Sequence, residues 1–426
     1  MADQKTFLSE VTKHIKMKEA KKLVTAELAG HIEAGKQEWI RQGLTEEEAE
    51  EKAVREMGSP HSIGEKFNKI YRPQVDWITL VLLAAVLGFG FLPLISIGAL
   101  SSRDYIMSKS ISVLIGASIA IVLMYADYRK WAKFRWHFYI AGLVLLCLMS
   151  NLFPDHSLFP EFFPKVKGVT YIYLGGTFIF SNLFTLSLFY LGWAGILQKS
   201  DLKLWEFLLL FTIPGFIFYK TGIPTCMLYM VMVFSMLFQS RVKKRAEIIV
   251  ISSCMLIISG VTLAITFLKN QELLDRFNGF INPDIYKHSS GYIYVEIKKV
   301  LSNAEWLGSN MERVPLAHTD YAFLSIIRSF GYLPAFLVAL ALILLLIRIF
   351  QLISSVKDPF GRTLITGGCF LYSVQVLYSI AMSLGLLPSI SVSLPFISYG
   401  FTPLVMNAVL VGAALSIYRR KNLSFI

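Results

Sequence analysis

From about residue 75 onward the chain is a series of long apolar runs separated by short polar breaks, whereas its first 73 residues hold no such run. A helix needs roughly 20 apolar residues to cross a bilayer. On that pattern ten spans are predicted, near 75–100, 110–126, 138–152, 171–197, 205–219, 222–239, 246–267, 320–349, 363–384 and 402–418. The fifth and sixth are short and separated only by the stretch around "YKTGIP", which predicts a tight re-entry rather than two full-length spans. One connection stands apart. Residues 268–318 form a loop of roughly 50 residues, and loops of that length are usually functional.

The first 73 residues predict a small helical domain. Thr45 and Glu48 have the spacing of a capping box opening "TEEEAEEKAVREM", Gly58 is a natural stop, and Ser59 with Pro60 restarts a helix. The expected organisation is therefore a helical prefix domain over 1–73, then a transmembrane domain over 74–426 with its large outer loop at 268–318. The fold class is all-α.

Composition sharpens this picture. Hydrophobic residues make up 55%, charged residues 16%, and the mean hydropathy is +0.56, as expected of an integral membrane protein. The prefix carries 13 Lys/Arg and 13 Asp/Glu, so the net charge of +12 belongs wholly to the remainder, with 28 basic and 16 acidic residues. Those basic residues are unevenly placed. The loops "DYRKWAKFRWH", "QKSDLKLWE", "QSRVKKRA" and "RIFQLISSVKDPFGR", with the tail "RRKNLSFI", hold 16 Lys/Arg, against five in the short loops between them. The positive-inside rule then puts both termini in the cytoplasm, and no nucleic-acid partner is expected. The opening segment "MADQKTFLSEVTKHIKMKEAKK" lacks a secretory apolar region, which agrees with a cytoplasmic N-terminus. Cys147, Cys226, Cys254 and Cys369 all fall in predicted spans without metal-ligand spacing and read as packing residues.

Against this apolar background "VPLAHTDYAF", residues 314–323, places His318, Thr319 and Asp320 where the chain re-enters the membrane from outside. A carboxylate there is costly unless it faces water, a partner or a cavity. Two readings follow. Thr319 and Asp320 are both good helix starters. Alternatively, Asp320 is a general base that takes a proton from a hydroxyl nucleophile, with His318 orienting it.

The chain from about residue 75 resembles the SEDS family, the RodA/FtsW/SpoVE group of peptidoglycan polymerases. "HTDYAF" resembles the family's motif around its proposed catalytic Asp, matched here by Asp320. "DRFNGFINPDIYKHSSGY" resembles a second motif through Arg276, Phe277, Asn282, Pro283, Gly291 and Tyr292. "LGLLPSISVSLPFISYG" resembles the late outer loop through Leu387, Pro388, Leu394, Pro395, Phe396, Ser398, Tyr399 and Gly400. The chain is a divergent member. The paired glutamates after the catalytic motif are replaced by Arg328 and Ser329. A Pro-Ser-Glu…Lys signature is met by Phe180, Ser181, Asn182 and Thr185. An Asp-containing turn reads Thr221, Gly222, Ile223, Pro224 and Thr225, and Phe401 stands where a second Gly would follow Gly400. "EEAEEKAVREMGSPHSIGEKFNKIYRP" resembles the permease-prefix helical domain, which implies a cytoplasmic docking module.

The resemblance implies a peptidoglycan glycosyltransferase that polymerises lipid II at the outer face of the bacterial cytoplasmic membrane, in cell shape, division or sporulation. Asp320 would be catalytic. His318, Thr319, Arg276, Lys109, Ser398 and Tyr399 would contact substrate, Arg276 and Lys109 as outer-side cations. The leaving diphosphate calls for such cations or for a divalent metal ion. The implied partner is a class B penicillin-binding protein. Two alternatives stay open: a non-catalytic scaffold for a cell-wall synthase, favoured by the lost carboxylates, and a transporter of the lipid-linked precursor.

Overall fold

A computed structural model describes residues 3–95, 99–150, 165–166, 169–174, 177–242, 246–250, 253, 260, 271–308 and 319–423. They divide into two compact units, one of Met1–Val75 with Tyr418–Ile426, the other of Asp76–Ile417.

The first unit has four helices, α1 (Gln4–Lys13), α2 (Lys18–Arg41), α3 (Glu46–Glu56) and α4 (Pro60–Ile70). Helix α2 buries Ala20, Val24, Leu28 and Ile32, one residue per turn, against Phe7, Val11 and Ile15 and the Ala53–Val54 pair of α3. The capping box forms as the spacing predicts. Glu48 N donates to Thr45 Oγ1 (3.5 Å), and Thr45 N donates to Glu48 Oε2 (3.1 Å). Gly58 leaves α3 at φ 86°, a region glycine enters without strain. Ser59 holds the N-cap position of α4 without a side-chain bond, and Pro60 occupies its first turn. Residues 418–423 complete the unit: Asn422 Nδ2 donates to Ile70 O (3.2 Å), and Arg420 Nε lies 3.9 Å from Glu19 Oε1.

The second unit contains α5 (Trp77–Phe89), α6 (Leu92–Ile95), α7 (Ala99–Tyr125), α8 (Arg135–Met149), α9 (Leu183–Ile196), α10 (Leu204–Thr221), α11 (Ile223–Phe238), α12 (Gln271–Ile281), α13 (Tyr292–Asn303), α14 (Ala322–Phe330), α15 (Tyr332–Ser355), α16 (Pro359–Ser383) and α17 (Phe401–Arg419). Among the described residues seven segments are long and apolar enough to cross a membrane, and α9 and α11 are shorter apolar helices. Most of the span predicted at 246–267 lies outside the described residues.

Two local expectations change. The span predicted at 171–197 begins late. Lys165–Val166 (β1), Val169–Leu174 (β2) and Thr177–Ser181 (β3) form a small antiparallel sheet, and the helix starts only at Leu183. The reason is visible in "VTYIYLGGTFIFS", where β-branched and aromatic residues flank a Gly-Gly pair, a hairpin signature hidden inside an apolar run. The all-α expectation thus holds apart from this sheet. The pair flanking "YKTGIP" forms two helices of 18 and 16 residues that meet tightly at Gly222 with φ 157°. Within the long outer loop, α12 and α13 form two short helices. Finally, the span expected from residue 320 starts at Tyr332, after the short α14 and a break at Gly331 (φ 92°). A Cβ at Gly331 would meet Glu305 O and Trp306 O at 2.7 Å, so only glycine allows α13's trailing segment to lie against this joint.

Two polar pairs tie helices of the bundle together. Asp76 caps α5 through Thr79 and receives Arg348 of α15, Nε to Oδ2 at 3.0 Å and Nη2 to Oδ1 at 3.1 Å. Gln375 of α16 and Asn407 of α17 join side chain to side chain, Asn407 Nδ2 donating to Gln375 Oε1 at 3.1 Å. Cys226 and Cys369 are buried and Cys147 half-buried, as packing residues should be, and Cys254 lies outside the described residues.

Candidate active site

Two segments far apart in sequence meet here: Thr319–Asp320–Tyr321, just ahead of α14, and the loop between α16 and α17. Proline, serine and glycine break helical continuity in that loop, leaving its polar backbone in need of partners. The partners come from three directions.

Lys109 of α7 is 1% exposed, and its ammonium donates to Phe396 O and Ser398 O at 2.8 Å each and to Ile397 O at 3.5 Å. A buried ammonium survives only with such partners. The three carbonyls converge because Phe396 turns the chain at φ 63°, the one described non-glycine residue in the left-handed region. The approach also needs Gly90 at the end of α5, where a Cβ would lie 2.5 Å from Phe396 O. From a second side Ser398 Oγ donates to Thr319 O (2.7 Å) and accepts from Leu394 N (2.9 Å). From a third, tyrosines fasten the start of the loop. Tyr321 OH donates to Ser389 Oγ (2.7 Å), Ser389 N donates to Tyr294 OH of α13 (2.7 Å), and Tyr378 OH donates to Pro388 O (2.9 Å).

The result of this fastening is one contact. Ser391 Oγ, carried by the loop, donates to Asp320 Oδ2 at 3.1 Å. Asp320 is half-buried and lies ahead of the membrane-spanning helix. Burial pushes its carboxyl above the ordinary carboxylate range, while the Ser391 hydrogen bond acts in the opposite direction. A carboxylate held by one oxygen keeps the other for a proton, and a raised pKa makes it a stronger base.

The sequence-named residues fare differently. Thr319, Asp320, Ser398, Tyr399 and Lys109 belong to one connected network. Within it Lys109 is not presented to solvent as a cation for a diphosphate, because its ammonium is spent on backbone carbonyls. Ser398 is likewise buried, with its hydroxyl engaged on both sides. Tyr399 OH donates to Ser108 Oγ (3.1 Å), and its ring meets Tyr105 edge-on at 5.2 Å. His318 lies outside the described residues. So does the side chain of Arg276, whose backbone belongs to α12. Where the family motif has a glutamate, Asn182 sits at the start of α9, its carbonyl accepting from Thr185 Oγ1 (2.6 Å). Arg328, in place of another, is buried in α14 beside Ser329. Among the described residues no three His, Cys, Asp or Glu side chains gather to hold a metal ion. Sequence reasoning passed over Ser391, Tyr321 and Tyr294, whose roles depend on loop geometry that no local spacing encodes.

Comparison with known proteins extends along nearly the whole membrane unit. A probable peptidoglycan glycosyltransferase FtsW from Trichlorobacter lovleyi is 22% identical, covering 81% of this chain and 93% of that protein. A probable peptidoglycan glycosyltransferase FtsW from Nitrosomonas europaea is 24% identical over 82% and 94%. Among solved structures, a chain from a study of structural coordination of polymerization and crosslinking by a peptidoglycan synthase complex shares the fold. Its TM-score is 0.66 at 20% identity, over 82% of this chain and 98% of that one. The rod shape determining protein RodA of Thermus thermophilus also shares it, at a TM-score of 0.56 and 18% identity over 83% and 98%. Residues 75–423 match the FtsW, RodA and SpoVE family of cell cycle proteins, and the chain belongs to that family of multi-pass membrane proteins.

Proposed function

We propose that the protein is a peptidoglycan glycosyltransferase that extends glycan chains from lipid II, with Asp320 as general base. The observation that carries this reading is the Asp320 carboxylate, made more basic by burial and held by Ser391 from the late loop. The acceptor sugar's 4-hydroxyl attacks the anomeric carbon of the donor. Asp320 takes the hydroxyl proton as the new C–O bond forms, and the bond to the lipid diphosphate breaks with its electron pair leaving on the phosphate oxygen. Charge grows on that oxygen, so a cation beside it lowers the barrier. With Lys109 committed to the loop, Arg276 is the residue we assign to that task, at the outer surface implied by the loop charges. A class B penicillin-binding protein is the partner this reading expects.

Asp320→Asn tests it. Asn keeps the size and caps a helix as well as Asp, so a capping role predicts little change. Loss of a general base costs on the order of 10²–10⁴-fold in rate. Purified full-length protein with lipid II should form glycan chains, and the Asn variant should form almost none. Equal polymerisation by both proteins rejects the base role. An inactive wild type that still activates a partner synthase points to the scaffold reading, which the replacement of a family glutamate by Asn182 favours.

A further inference from the structure

A second site lies away from Asp320, at the end of the bundle where α8 begins, α9 ends and α10 begins. There a cleft of about 280 Å³ is lined by Arg135, Lys199, Glu206 and two tryptophans, Trp136 and Trp205. The tryptophans are 45% and 61% exposed, the amphipathic placement usual at the headgroup level of a bilayer. Trp136 is shared with a second, larger groove of about 680 Å³. That groove is apolar. It runs along one face of α8 through Ile140, Val144 and Leu148, with Leu188 of α9 as its other wall. From Trp136 to Leu148 is about 18 Å at 1.5 Å per residue. One leaflet of hydrocarbon is about 15 Å deep, half of the roughly 30 Å core.

The two clefts together make a seat with a charged head and an apolar tail one leaflet long. We propose that they bind one anionic glycerophospholipid of the leaflet on the Arg135 side, its phosphate at Arg135 and Lys199 and one acyl chain along α8. Length and charge select this occupant. The lining described matches a single acyl chain in length, and the cations beside Glu206 favour an anionic head. Polar contacts already in the cleft bear on the head. Arg135 Nη1 reaches Gly195 O only at 3.5 Å, and Lys199 Nζ lies 3.3 Å from Glu206 Oε2. Glu206 therefore offsets one of the two cations. Arg129, Lys130, Lys133 and Lys203 lie within a few residues, against Asp127 and Asp201, so the surroundings remain basic. Under the orientation read from the loops, this is the cytoplasmic leaflet.

The test does not depend on catalysis. Full-length protein, stripped of lipid in detergent, is titrated with phosphatidylglycerol and with phosphatidylcholine of the same acyl chains, and single-lipid adducts are counted by native mass spectrometry. A basic residue near a membrane surface contributes about fivefold in affinity for anionic lipid. One net cation predicts about a fivefold preference for phosphatidylglycerol. Glu206→Gln should raise it to on the order of 30-fold, and Arg135→Gln with Lys199→Gln should abolish it. Ala141→Phe, on the exposed groove face, should weaken both lipids by filling the acyl seat. Equal affinity for the two lipids in the wild type overturns the proposal, as does an Ala141→Phe protein that binds like the wild type. Competition by free glycerol phosphate would show a phosphate site without an acyl seat, and a co-purifying polyprenyl phosphate or polypeptide in the groove would identify another occupant. Either result overturns it too.

Discussion

Lys109→Met removes one ammonium and leaves the apolar stem in place. Two carbonyls, Phe396 O and Ser398 O, lose donors at 2.8 Å, and a third loses a marginal contact at 3.5 Å. A buried acceptor left without a partner costs about 1–3 kcal/mol, so the two close ones together put roughly 2–6 kcal/mol against the present loop path. What holds the loop to the Asp320 segment is of the same order. The Ser391–Asp320 bond is worth about 1.5–3 kcal/mol, and the Ser398–Thr319 and Tyr321–Ser389 bonds about 1 kcal/mol each. The loop should therefore repack, and Ser391 should leave Asp320. A displacement of about 1 Å at a catalytic group can cost on the order of 10²-fold in rate. The assay is glycan-chain formation from lipid II by the full-length protein, read beside protease cleavage within residues 384–400. Lys109→Met should be slow and its loop cleavable, while Lys109→Arg, which retains charge and donors, should recover part of both. An active Met variant with a protected loop refutes the argument. So does an inactive one with a protected loop, which would mean that Lys109 acts on the substrate itself.

Because burial raises the Asp320 carboxyl, turnover should fall as pH drops through a value above the ordinary carboxylate range, where the base takes up its proton. Ser391→Ala removes the group that lowers this pKa, so the acid limb of the pH–rate profile should move to higher pH; a limb that moves down or stays put contradicts the contact. Asp76→Asn leaves the Arg348 guanidinium in the bundle without its carboxylate, at a cost of about 3–5 kcal/mol, so thermal stability in detergent should drop sharply. Adding Arg348→Met should restore much of it, and no recovery would show that the pair is not coupled. In the prefix unit Thr45→Ala breaks the capping box at a cost of about 1 kcal/mol, measured as the shift in urea midpoint of an isolated fragment carrying residues 1–75. A fragment without cooperative unfolding would refute its independence.

Much of this was legible in the chain. Capping of α3 by Thr45 and Glu48 is a local rule acting on four residues, and the structure obeys it. The spans of α7, α15, α16 and α17 declare themselves by length and apolar content alone. The hairpin of β2 and β3 was missed because apolar content alone does not separate a strand from a helix; the Gly-Gly pair does. Asp320 was legible as a carboxylate in the wrong place. Lys109 was legible only as a cation, and its partners lie 287 to 289 residues away, so no spacing could have assigned them. Ser391 offered a short Pro-Ser-Ile-Ser run and nothing more, because its contact with Asp320 depends on how Tyr321 and Tyr294 fasten the loop at Ser389.

The prefix unit takes its last residues, Tyr418–Ile426, from the end of the last membrane span and the segment after it. Order of synthesis therefore matters. Residues 1–75 leave the ribosome first and can collapse on Val24, Leu28 and Ile32, but the Arg420 and Asn422 side chains that meet Glu19 and Ile70 are made after residues 76–417. At about 5–20 residues per second that interval is on the order of 20–70 s. Until it closes, the unit waits with an open seam, and the seam is filled only once the whole membrane part has been translated. The completed unit is thus a physical record that translation has passed the final span.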